Sequence, residues 1–103
     1  MPHTVAKRYK IPAKAVQAIR SLALDYGSQG RAIQVATELL IRLPNPPKVD
    51  YDKVRSQSPV IGMTYKLTPR TIELIERLAR NQYVQRGAVF VACAMVLQRK
   101  TQL

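Results

Sequence analysis

The sequence predicts a mainly α fold with one two-stranded antiparallel β-ribbon, built from two units of the order strand, helix, helix. First, residues 9–43 align without a gap with residues 65–99, and nine of these positions are identical. Second, each copy opens with the alternation of a strand and continues with the apolar spacing of helices. Third, a lone strand leaves its backbone groups unpaired, so the two copies are expected to pair their strands. Together these observations predict an intrachain pseudo-dimer.

The domain organisation follows from the repeat. Unit 1 covers residues 1–43, unit 2 covers residues 60–103, and a proline-rich linker occupies residues 44–59. The linker, "PNPPKVDYDKVRSQSP", contains four prolines and little apolar periodicity. Its 16 residues can span up to ~50 Å when extended. We therefore expect the second unit to fold back on the first and to form one compact, pseudo-symmetric domain with it.

The strands are recognised by alternation, which is clearest in "GMTYKL" of the second copy. An inward face is predicted for Met63, Tyr65 and Leu67. The opposite, outward face carries small or polar side chains in both copies. This outward set comprises Ala6, Arg8 and Lys10 in the first strand and Gly62, Thr64 and Lys66 in the second.

The first helix of each unit begins directly after its strand. In the second copy Thr68 is a good N-cap and Pro69 suits the first helical position. Apolar residues then recur at helical spacing in both copies. They are Val16, Ile19, Leu22 and Ala23 in the first helix, and Ile72, Ile75, Leu78 and Ala79 in its repeat.

A short break and a second, more apolar helix complete each unit. Gly27 suits a left-handed helix end in the first copy, whereas Tyr83 stands at the matching position, so Asn81 or Gln82 is expected to close the helix there. The second helices are predicted over residues 31–42 and 87–99. Since they are apolar nearly all round, we expect them to form the centre, with Cys93 as a small core residue.

Composition restricts the function more than the fold. Seventeen Lys and Arg face six Asp and Glu, so the formal charge is +11 and the pI is near 10.4, which favours a polyanionic partner. No apolar run reaches the ~18 residues of a membrane span, and the N-terminus lacks the apolar core of a secretion signal. One Cys, one His and no phosphate loop or nucleophile motif argue against an enzyme. We expect a cytoplasmic protein without metal, cofactor, small-molecule ligand or membrane contact.

The repeated strand, capped helix, turn and apolar helix resemble the ribbon-helix-helix DNA-binding proteins of the Arc, MetJ and CopG type. The resemblance covers both copies, and the tandem arrangement is similar to TraY-like accessory proteins of conjugative plasmids. It implies that the ribbon lies in the DNA major groove and that its outward side chains touch base edges. The residues implied are Ala6, Arg8, Lys10, Gly62, Thr64 and Lys66. Independently of the resemblance, Arg and Lys can donate to guanine, and Thr can pack on a thymine methyl.

The resemblance also implies phosphate contacts at the start of the second helices. A helix N-terminus presents free N–H groups and a positive dipole, which suits a phosphate. The matching residues are Gln29, Gly30 and Arg31 in the first copy and Gln85, Arg86 and Gly87 in the second, and Lys14 and Arg70 are further candidates from the first helices. The alternative for each turn is an ordinary polar break capped by Gln.

The expected function is sequence-specific binding of double-stranded DNA, as a transcriptional repressor or a conjugation accessory protein of a prokaryote, its plasmid or its virus. Because Arg8 faces a strand that carries Thr64, the preferred site is expected to be an imperfect palindrome. Two alternatives remain: an antitoxin-like protein-interaction module, and non-specific nucleic-acid packaging by charge. Further self-association on DNA is also left open.

Overall fold

The computed structural model describes residues 3–101 and is mainly α, with one two-stranded antiparallel sheet. The elements in chain order are β1 (Val5–Pro12), α1 (Ala13–Leu22), a 3-10 turn (Ala23–Asp25), α2 (Gln29–Arg42), α3 (Tyr51–Gln57), β2 (Val60–Leu67), α4 (Pro69–Leu78), a π-helical turn (Ala79–Tyr83) and α5 (Arg86–Thr101). This confirms the predicted mainly α fold with one two-stranded antiparallel ribbon. The second helices begin one or two residues earlier than predicted.

The two strands pair with each other within the chain. The register places Val5 opposite Leu67 and Pro12 opposite Val60. Tyr9 and Tyr65 are buried on the inward face, and the predicted outward residues are all exposed. The alternation is therefore confirmed over residues 62–67, and the ribbon has one free face. The other face packs on the helices around Tyr9 and Tyr65, whereas Val5, Lys7 and Ile61 on that face remain exposed.

The core lies between the ribbon and the helices and is centred on α5. Phe90 is fully buried, with its ring centroid 4.9 Å from that of Tyr9 and 5.9 Å from that of Tyr65. Helices from the two halves of the sequence pack against each other: α1 contacts α5, and α4 contacts α2. Cys93 is buried in the same core, as predicted.

The two first helices are capped in different ways. Thr68 caps α4 by accepting a hydrogen bond from the Thr71 amide at 3.2 Å, with Pro69 in the first turn, as predicted. Pro12 precedes α1 and provides no side-chain cap. The end of the linker supplies the missing acceptors: the Ala13 amide donates to the Pro59 carbonyl at 2.8 Å, and the Lys14 amide donates to Ser58 Oγ at 3.0 Å.

Replacing Ser58 by alanine is expected to destabilise the fold by about 1 kcal/mol, the usual cost of a lost helix cap. Ser58 is 3% exposed, so water cannot readily replace its hydroxyl. Urea denaturation measures the loss. Ser56→Ala is the matched control, because Ser56 is exposed in the same linker and is expected to change stability by less than about 0.5 kcal/mol. Equal effects of the two substitutions would contradict the capping role.

The linker is more structured than its composition predicts. It contains the seven-residue helix α3, which begins after Asp50, whose side chain accepts from the Lys53 amide at 3.2 Å. The linker is also docked before α3, where the buried Tyr83 hydroxyl donates to the Pro47 carbonyl at 2.8 Å. Because Ser58 and Pro59 bind the start of α1, the linker is held at both ends.

The turn before α5 differs from the prediction, because neither Asn81 nor Gln82 closes the helix. The chain instead adds a π-helical turn, and the exposed Val84 takes a positive φ of 66°. The Gln85 amide bonds the Tyr83 carbonyl at 2.7 Å, so Val84 is the centre of a tight turn with a conformation that β-branched residues rarely adopt. In the first half Gly27 has φ 90°, as its position predicts.

The turn before α5 is one residue longer than the turn before α2, and this changes the offset between the two copies of the repeat. α2 begins at Gln29 and α5 begins at Arg86, so the second helices start 57 residues apart rather than 56. In this register Gly30 corresponds to Gly87, which removes the exchange of Gly and Arg in the gapless alignment. The offset of 56 therefore describes the strands and first helices, and 57 describes the second helices.

Alkaline pH is expected to weaken the fold. Burial raises the pKa of Tyr9 from 10 to about 12, and burial raises the pKa of Cys93 from 9 to about 12. Because the unfolded chain releases these protons at lower pH, this stability is complete below pH ~9 and is lost as pH rises toward 12. Denaturant midpoints between pH 7 and 11 measure it.

Tyr9→Phe provides the control for this pH dependence. The Tyr9 hydroxyl is buried and has no hydrogen-bond partner within residues 3–101, so the variant is expected to be at least as stable at pH 7. Above pH 10 it should lose less stability than the natural protein. An identical pH profile for both proteins would contradict the contribution of Tyr9.

Candidate nucleic-acid interface

The exposed ribbon face brings together all six residues predicted to contact bases. The pairing places Ala6 opposite Lys66, Arg8 opposite Thr64 and Lys10 opposite Gly62. Directly opposed residues of an antiparallel pair point to the same face. The face therefore carries three cations and one threonine around two small residues, all exposed to solvent.

Gly62 has a specific place on this face. The Arg8 guanidinium lies where a Cβ at position 62 would stand, so the missing side chain leaves room for Arg8 to lie across the neighbouring strand. A glycine inside a strand often marks such a close approach. Gly62 thus contributes to the exposed ribbon face by leaving room for the Arg8 side chain.

The start of α2 lies beside one end of the ribbon. A Cβ at Gly30 would collide with the Lys66 carbonyl oxygen, which shows how closely the helix approaches β2. The cap of α2 is Ser28 rather than a glutamine: its hydroxyl accepts from the Arg31 amide at 3.1 Å. That amide is consequently engaged. A groove of about 170 Å³ at this end is lined by Thr4, Ser28, Gly30, Arg31, Gln34, Lys66 and Thr68.

The start of α5 is bounded by the linker instead of by a strand. A Cβ at Gly87 would collide with the Tyr51 hydroxyl of α3. Arg86 Nε donates to the Glu76 carboxylate at 2.7 Å, and this hydrogen bond is the main reason why the pKa of Glu76 is lowered. Of the three residues predicted here, Arg86 is therefore already paired through one of its nitrogens.

The groove at this second end is larger and more basic. Its volume is about 630 Å³. Its lining residues are Arg8, Tyr9, Lys10, Tyr51, Arg55, Val60, Glu76, Ala79, Arg80, Val84, Gln85, Arg86 and Gly87. Five of these side chains are cationic and one is acidic, so the groove suits an anion. It joins the outward ribbon residues Arg8 and Lys10 to the start of α5.

The remaining two candidates, Lys14 and Arg70, are exposed in the first turns of α1 and α4. The Lys14 amide is occupied by Ser58 Oγ, so only its side chain is available to a ligand. Neither residue lines either groove.

The larger groove also includes residues that were not predicted as site residues, among them Tyr51 and Arg55 from α3 and Glu76 from α4. The linker sequence gave one local signal for α3, since Asp50 is a good N-cap followed by a short polar stretch. The place of Glu76 in the groove could not be predicted from the local sequence, because its partner Arg86 lies ten residues away on another element.

Other classes of site lack support in the described part of the chain. Among residues 3–101 there is no group of three His, Cys, Asp or Glu side chains that could hold a metal ion. Within the same range no helix has the length and apolarity to cross a membrane.

Comparison with known proteins adds no relative. No protein-family model, curated protein or solved structure matches the chain.

Proposed function

We propose that this protein binds double-stranded DNA in a sequence-specific manner, with the β1–β2 ribbon in the major groove. The observation that supports this most directly is the outward ribbon face, where Arg8, Lys10, Thr64 and Lys66 are exposed together while the other face packs on the helices. The major groove is about 12 Å wide and admits a two-stranded ribbon. Arg and Lys on such a ribbon can donate to guanine, and Thr can contact thymine.

Phosphate contacts on both sides of the ribbon complete the proposal. The starts of α2 and α5 lie beside basic grooves that each include outward ribbon residues. A helix N-terminus and nearby arginines together favour a phosphate. We assign the contacts to the DNA phosphates to Gln29, Gly30 and the Arg31 side chain at one end, since the Arg31 amide is held by Ser28. At the other end we assign them to Gln85, Arg86 and Gly87, and Lys14 and Arg70 are further phosphate contacts from the first helices.

The two halves act in this proposal as a pseudo-dimer within one chain. Arg8 and Lys10 of β1 then read one half-site, and Thr64 and Lys66 of β2 read the other. The site is an imperfect palindrome with more guanine on the side of β1. In a prokaryotic cell or on its plasmid or virus, such a protein serves as a repressor or as a conjugation accessory factor.

The test begins with duplexes selected by the natural protein from a random-sequence pool. Lys10→Ala combined with Lys66→Ala is expected to weaken binding to the selected duplex by at least tenfold, since each good base contact contributes about 1–3 kcal/mol of discrimination. Binding to an unselected duplex should fall less. Arg99→Ala combined with Lys100→Ala is the control, because it removes the same charge from the exposed far end of α5.

Three outcomes separate the candidates. Enrichment of one sequence class, with the ribbon variant impaired and the control unimpaired, supports the proposal. Equal loss in both double variants, with no enriched sequence, indicates binding by charge alone, which the net charge of +11 would also allow. If the ribbon variant binds the selected duplex as tightly as the natural protein does, the assignment of the base contacts to the outward ribbon face is overturned.

A further inference from the structure

We propose that the linker helix α3 is a second DNA-contacting element, which binds the phosphodiester backbone beside only one end of the ribbon. This inference rests on the proposed function, because α3 meets DNA only when the ribbon lies in the groove. It assigns a role to a segment that composition alone marks as a connection between two units.

The first step is that α3 has a fixed position. The Tyr83 hydroxyl holds the Pro47 carbonyl before the helix, and the amides of Ala13 and Lys14 hold Pro59 and Ser58 after it. Between these anchors Tyr51 packs on the backbone of Gly87. A segment fixed at both ends and in the middle can present a side chain to a ligand without ordering a loop first.

The second step is that α3 lies beside the outward ribbon face. Tyr51 and Arg55 line the same groove of about 630 Å³ as Arg8 and Lys10 of the ribbon. A duplex that contacts Arg8 and Lys10 therefore places its backbone next to this wall of the groove. The linker helix and the start of α5 bound that wall together.

The third step concerns charge. The Arg55 guanidinium lies 5.8 Å from the centre of the Tyr51 ring and 3.2 Å from an Asp52 carboxylate oxygen. Both partners of this ion pair are exposed, at 53% for Arg55 and 85% for Asp52, so the pair is weak and Arg55 can turn to a phosphate. Glu76, the one acid of the groove, is already bound by Arg86.

The fourth step is the contrast between the two ends of the ribbon. The groove at the start of α2 includes no residue of the linker, since it is lined by residues 4, 28, 30, 31, 34, 66 and 68. Its volume is about 170 Å³, and its cations are Arg31 and Lys66. The chain thus has a phosphate-binding wall from the linker at the α5 end alone.

The test compares Arg55→Ala with Arg42→Ala on a 40-bp duplex that the natural protein selects from a random pool. Both arginines are exposed, but Arg42 lies at the far end of α2 from the ribbon. We expect Arg55→Ala to weaken binding about three- to tenfold and to lower the salt slope by ~0.9, the value for one phosphate contact. Arg55→Lys should retain the slope, and Asp52→Ala should strengthen binding.

Hydroxyl-radical footprints provide the positional readout. Loss of protection in Arg55→Ala is expected on one flank of the site, with the ribbon footprint unchanged. If Arg55→Ala and Arg42→Ala have equal affinities, slopes and footprints, the inference is overturned while DNA binding itself stands. If the natural protein selects and binds no duplex, both this inference and the proposed function are overturned.

Discussion

Replacing Phe90 by alanine is expected to lower the free energy of unfolding by about 3–5 kcal/mol, the usual cost of deleting a buried phenylalanine ring. Phe90 is fully buried and contacts both inward tyrosines, Tyr9 and Tyr65, one from each strand. Because a two-stranded ribbon is only marginally stable by itself, this contact is a main reason why the ribbon stays on the helices. The total free energy of unfolding of a domain of this size is about 5–15 kcal/mol.

Urea denaturation followed by circular dichroism measures this effect. Phe90→Leu retains most of the apolar volume and is expected to lose much less stability. If Phe90→Ala cost under 1 kcal/mol, roughly the cost of an average substitution, Phe90 would not be a principal anchor of the ribbon.

Replacing Gly30 by alanine is expected to destabilise the protein by about 1–3 kcal/mol, the usual cost of overpacking. The new Cβ would collide with the Lys66 carbonyl oxygen, a backbone atom of β2 that cannot move without bending the strand. In an exposed helix the same substitution normally gains up to about 1 kcal/mol. The sign of the effect therefore tests the close packing of α2 on β2. The start of α2 should also shift, so DNA affinity is expected to fall.

Gly87→Ala is the matched control, because the corresponding Cβ meets a side chain. Its obstacle is the Tyr51 hydroxyl, the far end of a side chain that can turn away. We expect Gly87→Ala to lose less stability than Gly30→Ala does. Adding Tyr51→Ala to Gly87→Ala should remove the collision. A gain in stability for Gly30→Ala would show that α2 can move freely on the ribbon.

The elements with periodic burial were predictable from the sequence. Alternation around Tyr9 and Tyr65 gave both strands, and the pair Thr68-Pro69 gave the start of α4. The linker helix α3 was not predictable in this way, because it has no buried residue and hence no apolar stripe. Its anchors include the carbonyls of Pro47 and Pro59, and a backbone acceptor leaves no trace in residue identity.

The one-residue shift before α5 was hidden for a related reason. A helix buried on nearly every side accepts an apolar repeat at an offset of 56 or of 57. Val89, Phe90, Cys93 and Leu97 are all fully buried and match Ala32, Ile33, Ala36 and Leu40 at an offset of 57. Of the candidate site, the ribbon face followed from alternation, whereas the groove wall of Tyr51 and Arg55 depends on long-range docking.

The pairing of β1 with β2 inside one chain changes how formation of the ribbon depends on protein concentration. When two strands come from separate chains, dilution separates them, and the amount of active species falls with the square of the concentration. Here the pairing is unimolecular, so the thermal midpoint should be the same at nanomolar and millimolar protein. Under the proposed function, occupancy of a DNA site would then rise with the first power of protein concentration. The ribbon therefore forms without a threshold concentration for assembly.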